Sequence, residues 1–95
     1  MFTIFGFYKF QKINNLKKNQ KILNNLLVNK NIYGSIIISE EGLNGSISGK
    51  NKDIKATIIK LKKIFSIKEF DSFNNSKCKF KPFHKSKVKI KKEVV

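Results

Sequence analysis

Tyr33-Gly34-Ser35-Ile36-Ile37-Ile38-Ser39-Glu40-Glu41-Gly42-Leu43-Asn44-Gly45-Ser46-Ile47-Ser48-Gly49 is the stretch that decides the architecture. Three adjacent isoleucines within Tyr33–Ser39 read as a strand covered on one face and partly protected on the other. Glu40 to Gly45 reads as a turn, with Asn44-Gly45 as a strong hairpin signal. Ser46 to Gly49 then pairs back as a short strand. The middle of the chain is therefore a β-hairpin, and its flanks determine what packs on it.

Upstream, Leu16, Leu23, Leu26 and Leu27 recur at helical spacing through about Val28, with Asn14-Asn15 as the cap. Lys17, Lys18 and Lys21 occupy the opposite face, which makes this helix amphipathic. Before it, Phe2 to Phe10 reads as a mostly buried aromatic strand, with Gly6 marking a bulge or a close backbone approach. Downstream, Ile54, Ile58, Leu61 and Phe65 line one face of a second helix. Asn51 is its cap, and Asp53 lies in its first turn, where the helix dipole favours an acid. Ile67 to Phe73 reads as a strand anchored by Phe70 and Phe73, and Asn74-Asn75-Ser76 as a loop. Pro82 interrupts any strand through its own position. Lys85 to Lys91 alternates, with Val88 and Ile90 inward and Lys87, Lys89 and Lys91 outward. This order predicts an α+β, ferredoxin-like (acylphosphatase-like) split βαβ sandwich, with two helices on one face of an antiparallel sheet. Residues 1–95 form one such domain.

A chain of 95 residues buries roughly 60–70% of its unfolded surface, enough for one modest core. Its 21 basic and 6 acidic residues give a formal net charge of +15. Such a surface attracts polyanions, nucleic acid first among them. Every basic residue is Lys, and together with abundant Asn and Ile this marks AT-rich coding as one source of the charge. Without Arg there is no bidentate recognition of phosphate or guanine, so sequence-specific duplex reading is not expected. The single Cys78 forms no internal disulfide. The first residues do not read as a signal peptide, and no apolar run approaches the ~20 residues that cross a bilayer. A cytoplasmic location without a membrane partner is the expectation.

Two segments are candidates for binding. Lys77, Lys79, Lys81, Lys85, Lys87, Lys89, Lys91 and Lys92 crowd around Phe80, Phe83 and His84. One reading is a solvated strand face kept soluble by Lys. The other is a phosphate-tracking ridge of Lys79, Lys81, His84, Lys85, Lys87, Lys89, Lys91 and Lys92, with an aromatic available for stacking on an unpaired base; Phe80 and Phe83 individually read as core rather than as stacking platforms. Glu41, Gly42, Asn44 and Gly45 form the second segment. It is either a tight structural turn or a turn whose exposed amides meet an RNA phosphate. His84, the only histidine, lacks the companions that a metal site needs. Cys78 reads as a partly buried or incidental thiol. No catalytic residue, metal or cofactor is expected.

Three ordered segments carry a resemblance: Phe7-Tyr8-Lys9-Phe10, Glu41 through Gly49, and Pro82-Phe83 followed by Lys87 through Val95. Together they resemble the amino-terminal domain of the rhodanese-like family that hydroxylates the wobble uridine of tRNA. Glu40 stands where that family often has Pro. The resemblance implies tRNA as partner, oxygen-dependent 5-hydroxyuridine formation, and a downstream rhodanese domain that carries the reactive Cys. That domain is absent from these 95 residues. The chain is then a substrate-positioning, tRNA-binding domain. The alternative is a stand-alone small basic RNA-binding protein, or a truncated product without catalysis. An acylphosphatase-type enzyme would share the fold but would need an Arg after the first strand, and none is present.

Overall fold

A computed structural model describes residues 1–93. Val94 and Val95, which end the third segment of the resemblance, lie outside the described residues. The elements run β1 (Phe2–Phe10), α1 (Leu16–Asn29), β2 (Tyr33–Ser39), β3 (Gly42–Gly49), α2 (Asn51–Phe65), β4 (Ser72–Cys78) and β5 (Ser86–Ile90). They form one sheet in the order β4-β1-β3-β2-β5. β3 is antiparallel to both β1 and β2, and β4 is antiparallel to β1. The fifth strand corrects the all-antiparallel expectation, because β5 runs parallel to β2. The split βαβ sandwich itself is as the element order predicted.

Strand alternation sorts the side chains onto two faces. Phe5 and Phe7 of β1, Ile36 and Ile38 of β2, Leu43 and Ile47 of β3, and Val88 of β5 point into one buried cluster. Leu23 and Leu27 of α1, with Ile54 and Leu61 of α2, complete that cluster, so both helices cover the same face. The aromatic rings are the largest pieces: Phe70 lies 5.6 Å from Phe5 and 5.2 Å from Phe7, centroid to centroid. The other face of the sheet carries no helix.

Several local expectations are corrected. The hairpin turn consists of Glu40 and Glu41 alone, since Ser39 already pairs with Gly42. Asn44 and Gly45 lie inside β3, where Asn44 pairs with Tyr8 on one side and Ile37 on the other. Gly42 (φ 151°) needs to be glycine, because a Cβ there would run into the Lys9 carbonyl oxygen. Gly45 is required for packing: a Cβ would stand 2.8 Å from both the Phe7 ring and the Ser35 carbonyl oxygen. Gly6 makes no bulge, since β1 pairs with β3 without interruption from Thr3 to Phe10.

Neither asparagine caps its helix with its side chain. Asn15 takes the left-handed conformation (φ 51°), and Asn51 is the first helical residue, its Oδ1 accepting from the Thr3 hydroxyl at 3.2 Å. The strand expected at Ile67–Phe73 is displaced to Ser72–Cys78. Ser66 (φ 54°) ends α2, the Ile67 amide donates back to the Lys62 carbonyl at 2.8 Å, and Ile67 and Phe70 drop into the core as connection. β4 is instead built from polar residues at the sheet edge, held by backbone pairing to β1 and exposed along most of its length.

Truncating the core at Ile47→Ala or Leu61→Ala is expected to cost about 2–5 kcal/mol in chemical denaturation. Gly45→Ala should also destabilise the fold. Gly6→Ala should cost less, because its Cβ meets chiefly the mobile end of Asn74 at 3.1 Å.

Candidate nucleic-acid interface

The alternation that buries Phe5 and Phe7 turns Tyr8 and Phe10 to the face without helices. Their rings meet edge to face, with centroids 4.6 Å apart. Strand register extends this face in rows: Tyr8, Asn44, Ile37 and Lys89 form one, and Gly6, Ser46, Ser35 and Lys87 the next. A third row holds Ile4, Ser48 and Tyr33. The Lys81 ammonium sits 3.6 Å from the centre of the Tyr33 ring, a cation–π contact. Partial burial, and then the carboxylates of Glu41 and Asp71, push the Tyr8 phenol above its ordinary pKa. At neutral pH Tyr8 therefore holds its proton and is a hydrogen-bond donor. Asp71 is itself engaged, accepting from the Phe10 amide at 2.6 Å and pairing with Lys9 at 3.6 Å.

The lysines crowded along the sequence are divided by the topology. Lys77 and Lys79 lie at the β4 edge, and Lys87 and Lys89 on β5 at the opposite edge. Four strand spacings, roughly 19 Å, separate those edges. Lys87 and Lys89 flank the buried Val88 and so point to the open face. Lys79, His84, Lys85, Lys91 and Lys92 are exposed, and Lys81 is half-buried over Tyr33. The Lys85 carbonyl accepts from Gly34, and the Lys91 amide donates to Ile38, which ties both ends of β5 to β2. Lys9–Asp71 is the one ion pair among the described residues, so most of the positive charge meets solvent without a carboxylate partner.

Glu41, Gly42, Asn44 and Gly45 do not form one loop. Glu41 is exposed in the turn, where its carbonyl accepts from the Gln11 amide at 3.0 Å. Gly42, Asn44 and Gly45 belong to a strand paired on both sides, which corrects the picture of a turn with amides free for a phosphate. Asn44 reaches the open face through its side chain instead. Phe80, expected in the core, is 79% exposed. Phe83 is half-buried and lines a shallow recess with Pro82, Gly34, Ser35 and Lys87. Cys78 ends β4 half-buried, opposite Phe2. Among the described residues no three His, Cys, Asp or Glu side chains converge as metal ligands, and no helix is long and apolar enough to cross a membrane.

Sequence reasoning missed Tyr8, Phe10 and Tyr33. The period-2 pattern within Phe2–Phe10 held the signal, since it separates Phe5 and Phe7 from Tyr8 and Phe10. Glu41→Gln together with Asp71→Asn is expected to lower the Tyr8 pKa part of the way back, leaving the contribution of burial. A pH titration of phenolate absorbance checks this.

Comparison with known proteins agrees with this architecture. Residues 2–94 match the family described as the UPF0176 acylphosphatase like domain. A tRNA uridine(34) hydroxylase of Pelagibacter ubique (strain HTCC1062) is 62% identical over 95 residues, covering 100% of this chain and 32% of that protein. One from Bartonella quintana (strain Toulouse) is 33% identical over 96 residues, covering 99% of this chain and 31% of that protein. The chain thus spans about a third of the length of these relatives. Among solved structures, acylphosphatase from Bacillus subtilis superposes with a TM-score of 0.60 at 9% identity, covering 95% of this chain and 98% of that one. The BlrP1 BLUF structure gives 0.67 at 9% identity, covering 96% and 64%. These two likenesses concern the fold alone.

Proposed function

The chain belongs to the family of the UPF0176 acylphosphatase like domain, and from that membership we propose that it is the amino-terminal, tRNA-positioning domain of a tRNA uridine hydroxylase acting on the wobble uridine. The names of its relatives support the substrate. In this reading a downstream rhodanese domain supplies the reactive Cys and the oxygen-dependent chemistry, in the cytoplasm. The present domain contributes no catalytic residue. It supplies binding energy that holds the RNA in register with the reacting centre, where misplacement by even an ångström is costly.

The observation that carries the reading is uncompensated charge: 21 lysines against one ion pair among the described residues. Lys81, Lys85, Lys87, Lys89, Lys91 and Lys92, with His84, gather towards the β5 edge, and Lys79 stands at the β4 edge. Lysines are point charges that fit phosphates without reading bases, as suits a domain that grips the RNA while another acts on it.

Affinity for tRNA should fall steeply with salt, because each phosphate contact releases condensed counterions. Lys87→Gln and Lys89→Gln should each flatten the log–log salt slope by about 0.7–0.9. Binding that does not change with salt would overturn the proposal. The fold likeness to acylphosphatase invites a different activity, which the β1–α1 segment disfavours. Gln11 to Asn15 contains no Arg, and the Gln11 and Ile13 amides already donate to the Glu41 and Glu40 carbonyls. An acyl-phosphate hydrolysis assay is expected to show no turnover.

A further inference from the structure

We infer that the open face of the sheet is a stacking platform for unpaired RNA bases, with Tyr8 and Phe10 as its aromatic end and Tyr33, its ring covered by the Lys81 ammonium, bounding the other. This rests on the tRNA-binding proposal and goes beyond it, since it assigns base contacts to side chains outside the lysine ridge.

Four features converge. First, the face has no helix over it, whereas the opposite face carries both. Second, its aromatics sit towards opposite corners: Tyr8 and Phe10 on β1, Tyr33 on β2. Phe10 is 53% exposed beside the Tyr8 ring. Four-stranded sheets that recognise single-stranded RNA stack two or three bases on aromatics placed in this way. Third, the ground between the corners is mixed, with Ile4 and Ile37 beside Asn44, Ser35 and Ser46. The Ser35 and Ser46 hydroxyls lie side by side across β2 and β3, where the edges of stacked bases would find donors and acceptors.

The fourth feature is the charge arrangement, which also sets an orientation. Lys87 and Lys89 stand on β5, three strand spacings or roughly 14 Å from β1. Glu41 and Asp71 lie at the Tyr8 end, close enough to raise the phenol pKa. Phosphates are drawn to the β5 side more than to the Tyr8–Phe10 corner, where Lys9 and the Phe10 amide already hold Asp71. The sugar–phosphate chain therefore enters over Lys87 and Lys89, and its last stacked base reaches Tyr8 with the backbone turned away from the carboxylates. Lys81, held over the Tyr33 ring, adds a cation for a phosphate at that corner. A protein partner fits less well, because the cores of protein interfaces are depleted in charge and this face is crossed by lysines and serines.

The test compares the full chain with its Tyr8→Leu/Phe10→Leu variant, using an RNA stem-loop and a blunt duplex of the same stem as probes. Leucine keeps apolar bulk at both positions while removing the π-face. Circular dichroism confirms that the variant is folded. We expect the stem-loop to bind more tightly than the duplex and to quench tyrosine fluorescence. The Leu pair should lose about five- to 150-fold in stem-loop affinity with the salt slope unchanged. Tyr8→Phe should retain binding, since it keeps the ring. Equal losses for stem-loop and duplex, or a folded Leu pair that binds like the parent, would overturn the platform; in the second case salt-dependent binding through the lysines, and with it the tRNA proposal, survives. If the parent chain binds neither RNA at low salt, both proposals fail. A Leu pair that binds RNA normally but detaches from a rhodanese domain supplied in trans would mark the face as a protein interface, and the inference would be wrong.

Discussion

Everything in this domain hangs on β3, a strand that makes backbone pairs on both sides and carries glycine where its neighbours are bulkiest. Phe7 of β1 and Ile36 of β2 lie opposite Gly45, and the Phe7 ring occupies the space that a side chain there would take. That contact lets the aromatic residues of β1 lean over the sheet to meet Phe70. Gly42, at the start of the same strand, allows the Lys9 carbonyl to approach closely. With β3 seated this way, β1 and β2 are held in fixed register, and the helices close over the face that carries Phe5, Phe7, Ile36, Ile38, Leu43 and Ile47.

The same pairing defines the open face by exclusion. Once Phe5, Phe7, Ile36 and Ile38 are committed to the helices, the intervening residues have nowhere to go but the opposite face. Tyr8, Tyr33, Ser35 and Ser46 thus share one face because of register, although their sequence positions are far apart. Lys87 and Lys89 join them because β5 runs beside β2. The open face is a product of the sheet and belongs to no single segment.

Charge acts at a longer range than these contacts. A net charge of +15 on a domain of this size creates a field that draws in a polyanion before any specific contact forms. The two carboxylates near Tyr8 are a local exception, and one of them is tied up by Lys9 and the Phe10 amide.

The amino-acid sequence by itself determined the order of elements, the faces of both helices, the alternation of β5 and the excess of lysine. These are local periodicities and compositions, which side-chain chemistry imposes wherever the chain lies. It misplaced β4, because an edge strand is held by backbone bonds and its residues, Ser72 to Cys78, need no apolar pattern. It put a turn at Asn44-Gly45, because that dipeptide favours turns unless strands on both sides claim it, as β1 and β2 do here. It placed Phe80 in the core from hydrophobicity alone, whereas Phe80 lies past the end of β4 and outside the packed layers. The tertiary structure alone decided that the lysine run is split between opposite sheet edges and that Tyr8, Phe10 and Tyr33 share one open face. Those relations depend on strand order and register, which are long-range pairings that no local stretch of sequence encodes.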